Sequence, residues 1–139
     1  MRELKTLLAS GSCRGVARSS SGELRLFRRQ GVADLMELVT SCPDFLRGAS
    51  VADNVIGRGA AMLLLKGGAT EVYARVISSG ALSALRSGGV SVSFDTEVDH
   101  IANRSGDGIC PVERLTADAL TPDEAYERIR LFIERQQSK

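Results

Sequence analysis

The stretch Glu71-Val72-Tyr73-Ala74-Arg75-Val76-Ile77-Ser78-Ser79-Gly80-Ala81-Leu82-Ser83-Ala84-Leu85-Arg86-Ser87-Gly88-Gly89-Val90-Ser91-Val92-Ser93-Phe94 decides the fold class. Glu71 to Ile77 is rich in β-formers with the spacing of a buried strand. Gly80 to Arg86 sets Ala81, Leu82 and Leu85 on one helical face, and Val90, Val92 and Phe94 then alternate with serines. Strand, short helix and strand in so few residues predict a βαβ crossover with two parallel strands. The class is therefore α/β. Any ligand crevice is expected at the carboxyl ends of the parallel strands, after Ile77 and after Phe94.

Upstream, Val51 to Lys66 reads as one largely buried helix. Val55, Ile56, Ala60, Ala61 and Leu63 to Leu65 cover most of its circumference, Ser50 and Asp53 resemble a capping box, and Gly67-Gly68 supplies a stop. Leu35, Met36, Leu38 and Val39 mark another helix from Val32 to Ser41, ended by Pro43. Cys13 to Arg18 and Glu23 to Arg29, joined by Ser19-Ser20-Ser21-Gly22, predict a β-hairpin. Leu4, Leu7 and Leu8 suit one face of an opening helix. Downstream, Thr121-Pro122-Asp123-Glu124 is a helix start with N-cap, proline and acid in place, and Ala125, Ile129, Phe132 and Ile133 form its apolar stripe.

Composition narrows the function classes. The chain has 139 residues, the size of one domain spanning 1–139, and a net charge of +1, which supplies no global attraction for nucleic acid polymers or anionic membranes. The longest apolar run, Ala60 to Leu65, is far below the roughly 20 residues of a membrane-spanning helix. The charged residues among the first leucines argue against a secretory signal. An odd number of cysteines, Cys13, Cys42 and Cys110, without framework spacing fits a reducing, cytoplasmic setting.

Three segments carry a resemblance. Gly48 to Ala61 contains Ala49-Ser50-Val51-Ala52-Asp53-Asn54-Val55-Ile56-Gly57, Glu71 to Ser78 is the strand above, and Ile101 to Glu113 contains Asn103-Arg104-Ser105-Gly106-Asp107-Gly108-Ile109-Cys110-Pro111-Val112-Glu113. Together they resemble an uncharacterised prokaryotic family, a domain of unknown function, within the cytidine deaminase-like superfamily. That resemblance implies a three-layer α/β/α domain with a mixed sheet of about four or five strands. Zinc deaminases of that superfamily hold a metal with His or Cys at two helix starts and use a nearby Glu. At the positions that correspond, Asp53 to Gly57 and Ser78 to Ala81, this chain has no thiol, imidazole or catalytic Glu, so neither metal nor other cofactor is expected.

The remaining candidates are polar side chains and one thiol. Pro111 suits the first turn of a helix, placing Cys110 at its N-terminus, where free amides favour a thiolate or a bound anion. Cys110 is thus a candidate nucleophile with Asp107 or the lone His100 handling protons, or else a small packing residue. Arg104 offers a planar fork for carboxylate or phosphate and Asn103 a polar edge, while turn stabilisation explains Asn103 and Asp107 as well. Asp53 is either a helix cap or a ligand contact, Arg58 a ligand contact or a surface ion pair, and Ser78 a cap or part of an anion nest. Three functions follow: a metal-independent domain binding a small nucleoside-like or phosphorylated molecule, a cysteine-dependent enzyme or thiol switch, and a structural homo-oligomeric subunit.

Overall fold

The computed structural model describes residues 1–29, 31–103 and 105–137. In chain order the elements are α1 (Arg2–Ala9), β1 (Gly15–Arg18), β2 (Leu24–Phe27), α2 (Ala33–Ser41), β3 (Ser50–Ile56), α3 (Arg58–Gly67), β4 (Glu71–Ser78), α4 (Ser79–Ser87), β5 (Ser91–Val98), α5 (Pro111–Thr116) and α6 (Pro122–Gln137). They build one five-stranded sheet in the order β2-β1-β3-β4-β5. β1 runs antiparallel to both β2 and β3, whereas β3, β4 and β5 are parallel. The β4-α4-β5 unit has the form its residues predict, with Glu71 opposite Ser91 and Ile77 opposite Glu97.

The largest departure from the sequence reading is at Val51–Ile56, which is the central strand and not the first half of a helix. Val51, Ala52 and Ile56 are all buried, because neighbouring strands and layers cover both faces of β3. With buried positions on both faces the strand lacks a regular polar alternation, and Val51, Val55 and Ile56 fall at helix-like spacing. Gly57, extended at φ −95° and ψ 179°, ends the strand and caps α3, whose far end is closed by Gly68 at φ +87°. Ser50 therefore caps no helix, and its hydroxyl bonds the Glu71 carboxylate at 3.1 Å.

Helices lie on both sides of the sheet, unequally. Alternation along β1 and β3 sends Ala17 and Val51 into a large core with residues of α2, α3, α4 and α6, and sends Val16 and Ala52 into a small one with Leu4 and Leu8 of α1. The start of α6 follows the expected cap chemistry: the Glu124 amide donates to Thr121 Oγ1 at 3.1 Å, and the Glu124 carboxylate accepts from the Leu120 amide at 3.1 Å. No helix of the described residues is long and apolar enough to cross a membrane.

Gly59 shows how tightly α5 lies on α3. A Cβ at this position would come within 2.4 Å of Val112 Cγ1 and 3.3 Å of Ile129 Cδ1. Gly59→Ala gains about 1 kcal/mol of helix propensity, but pushing α5 and α6 outward costs about 1–3 kcal/mol. The expected result is a net loss of stability in urea unfolding. A variant more stable than the parent would mean that α5 is not seated as described.

Candidate functional site

The carboxyl ends of β3 and β4 lead directly into α3 and α4, and neither helix carries an acid in its first turn. Their exposed amide ends call for a negative partner. The chain supplies one from a distance. Glu113, buried at 8% exposure, accepts through Oε1 from the Arg58 amide at 2.8 Å and from the Ser78 hydroxyl at 2.8 Å. Its Oε2 accepts from the Ile101 amide. Ser78 Oγ in turn accepts from the Ala81 amide at 3.2 Å, so Ser78 is the cap of α4 as well as a donor to Glu113.

Arg58 completes the same latch from the other side. Its Nε donates to the Thr116 carbonyl at 2.9 Å and its Nη2 to the Ala119 carbonyl at 2.7 Å, with Nη1 3.5 Å from the Gly80 carbonyl. The guanidinium thus holds the end of α5, while Glu113 near the start of that helix is fixed between α3 and α4. Gly57 permits the close approach: a Cβ there would lie 3.1 Å from Ile101 Cγ1 and 3.3 Å from Glu113 Oε1. The segment opening α3 and the segment around α5 meet, and what fills their junction is Glu113, a residue to which the sequence alone assigns no role. The signal available was the lack of an acid in the first turn of either α3 or α4.

Ile101 to Asn103 and Ser105 to Cys110 lie back on each other, with an isolated bridge between Ala102 and Ile109 and Gly106 at φ +77°. The Asn103 amide donates to the Gly108 carbonyl at 2.9 Å, and its side-chain Nδ2 donates to Asp107 at 3.1 Å. Ser105 Oγ donates to Asp107 at 2.8 Å. These two donors, Ser105 first, hold the Asp107 carboxyl below its ordinary range. Asp107 is exposed and committed to its own turn. Arg104 lies outside the described residues. Cys110 is a half-buried free thiol at the N-cap of α5, with its amide on the Ile101 carbonyl at 2.8 Å and its carbonyl on the Arg114 amide at 3.0 Å.

Asp53 is not a helix cap. It lies in β3 opposite Gly15 of β1 and Ala74 of β4, at the line where sheet pairing changes from antiparallel to parallel. A Cβ on Gly15 would come within 3.1 Å of Asp53 Oδ2 and 2.9 Å of the Phe27 ring, so only glycine fits beneath this carboxyl. Though some solvent still touches the residue, protein atoms crowd the carboxyl, and loss of hydration pushes its pKa up to about 7. The backbone amides of Val55 and Asn54 and the charge of Arg14 act weakly in the other direction. The Val55 amide is 3.4 Å from Oδ1, and no side chain among the described residues bonds the carboxyl. On the next residue, Asn54 Oδ1 is buried with no hydrogen-bond partner among the described residues. No hydrogen bond joins Asp53 to Cys110, whose partners are those named above.

The donor set does not fit zinc. The starts of α2, α3 and α4 are Val32-Ala33-Asp34, Gly57-Arg58-Gly59 and Ser78-Ser79-Gly80, without thiol or imidazole. Among the described residues no cluster of three His, Cys, Asp or Glu side chains is arranged to hold a metal ion.

Comparison with known proteins agrees with this architecture. No curated protein matches the chain. A crystal structure of a DUF1893 family protein, TM1506 from Thermotoga maritima, superimposes with a TM-score of 0.82 at 27% sequence identity, covering 96% of this chain and 88% of that one. The family model TM1506, described as a domain of unknown function (DUF1893), matches residues 3–133. With nearly its whole length matched in sequence and in fold, the chain belongs to the DUF1893 family.

Proposed function

We propose that this chain is a metal-independent binding domain for a small nucleoside-like molecule, anchored by Asp53. The observation that supports this is the desolvated Asp53 carboxyl, which has no side-chain partner and sits where the sheet changes its pairing. A carboxyl poised near neutrality can accept from an amino group or donate to a ring nitrogen, the two functions presented side by side on a base such as cytosine. A desolvated ionisable group that forms no ion pair weakens the fold, and such groups concentrate at working sites. The deaminase-like assignment of the fold belongs to the same reading, because a mixed sheet with helices on both faces is what it requires. A phosphorylated ligand has less support at this point: Glu113 already takes the Arg58 amide at the start of α3, and the Arg58 guanidinium is committed to carbonyls. Thiol chemistry at Cys110 has less support too, since Asp107 is a stabilised carboxylate bound into its own turn.

Amide-resolved NMR titration with cytidine and the other common nucleosides at pH 7 tests the proposal. The expected result is selective movement of the Gly15, Asn54 and Val55 signals at a dissociation constant of about 1 mM or tighter, abolished by Asp53→Ala. Signals that stay fixed for every nucleoside, or that move equally in the variant, would refute it.

A further inference from the structure

On the α1 side of the sheet, α1 lies over β1 and β3, and the same face of β4 and β5 is left partly open. A hollow of about 280 Å³ remains there, lined by Lys5, Leu8, Ala9, Tyr73, Arg75 and Asp95. Its floor is the buried pair Leu8 and Tyr73. The Tyr73 hydroxyl donates to Asp95 Oδ2 at 2.7 Å, and Lys5 Nζ lies 4.4 Å from the centre of the Tyr73 ring. Neither Lys5 nor Arg75 has an ion-pair partner among the described residues. The hollow therefore brings together two cations without ion-pair partners among the described residues, one carboxylate bonded to the Tyr73 hydroxyl through Oδ2, and an apolar floor.

The geometry points to this hollow as a second binding site, for a small carboxylate with a hydrogen-bond donor beside it, as in a free α-amino acid. Arg75 presents a planar fork that suits a carboxylate, and Lys5 adds a second positive charge at the rim. Asp95 would repel a simple anion but attracts an ammonium group next to it. The ligand's side chain rests against Leu8 and Tyr73, so apolar and aromatic amino acids are favoured. This site lies across the sheet from Asp53, which faces the larger core with Phe27, and it stands whether or not Asp53 binds a nucleoside.

The test is a calorimetric and NMR titration of the full chain with leucine, phenylalanine, N-acetyl-phenylalanine and inorganic phosphate. Binding of the free amino acids is expected, with shifts at the Lys5, Tyr73, Arg75 and Asp95 amides. Arg75→Ala should weaken it at least tenfold, and both Asp95→Asn and N-acetylation should weaken it several-fold. Circular dichroism confirms that the two exposed substitutions leave the fold intact. Phosphate binding as tightly as the amino acids, with Asp95→Asn without effect, would make the hollow a plain anion site and overturn the proposal. So would the absence of any shift at these four residues.

Discussion

Replacing Glu113 by alanine is expected to destabilise the fold by about 3–5 kcal/mol, the cost of leaving several shielded donors without an acceptor. The carboxylate serves the Arg58 amide, the Ser78 hydroxyl and the Ile101 amide together. The Ser78 hydroxyl can rotate to another partner and water can enter the space, which limits the loss. The two backbone amides are fixed by the strand-to-helix turn and by the loop before α5, and they have no such freedom. Favourable placement of negative charge at two helix N-termini adds to the effect by about 0.3–1 kcal/mol each. Glu113→Gln is expected to lose about half as much, because its amide group keeps one acceptor but sets N–H against N–H at the other oxygen's position. Urea unfolding at pH 7 measures both variants. An alanine variant within 1 kcal/mol of the parent would show that α5 is not held by this carboxylate.

Asp53→Asn is expected to act in the opposite direction and to depend on pH. The folded chain holds this carboxyl at about 7, above its ordinary value of 3.8. The neutral acid is therefore favoured by folding. Its contribution is fully present below about pH 4, declines as the unfolded chain ionises, and is gone once the pH passes about 7. Asparagine has nearly the same shape and no charge to desolvate. The variant should match the parent at pH 4 and exceed it at pH 8 by about 2 kcal/mol, a figure reduced from the full shift for the solvent that still reaches the residue. Stability curves measured across this range should converge at the acid end. A parent whose stability instead rose from pH 4 to 8 relative to the variant would reverse the sign of the argument. A side chain that weakens the protein at neutral pH is the kind of residue a purely structural account does not explain, which ties this prediction to the proposed ligand role.

The parts of this fold that were legible in the sequence are those whose causes are local. The β4-α4-β5 unit shows its strand and helix periods within a short stretch, and Thr121 to Glu124 carry a complete cap within four residues. The hairpin of β1 and β2 is marked by its serine and glycine turn. Val51–Ile56 misleads because its cause is not local: only the presence of β1 on one side and β4 on the other makes this segment, interrupted by Asp53 and Asn54, a strand. Gly57 falls inside the helix expected over Val51 to Lys66, whereas its extended backbone is the boundary between strand and helix.

The candidate site divides in the same way. The turn that carries Asn103, Ser105, Gly106, Asp107 and Gly108 is readable from its glycines and short polar side chains, and its hydrogen bonds follow from them. Glu113 was not readable, since its partner Arg58 is 55 residues away and reaches it only through the docking of α5. Arg58 carries charge, as a ligand contact would, but its fork satisfies the carbonyls that end a helix. For Asp53 the sequence leaves a cap and a ligand contact open; its place in β3 removes the cap, and what sequence does not display is the glycine beneath the carboxyl and the lack of a side-chain partner among the described residues.

The most direct test follows the Asp53 side-chain carboxyl carbon by NMR as the pH is raised from 3 to 9. A titration midpoint near 7 is expected in the folded chain, coupled to movement of the Val55 and Gly15 amides. A midpoint near the ordinary 3.8 would show a hydrated surface acid, and would remove the ground for placing a ligand there.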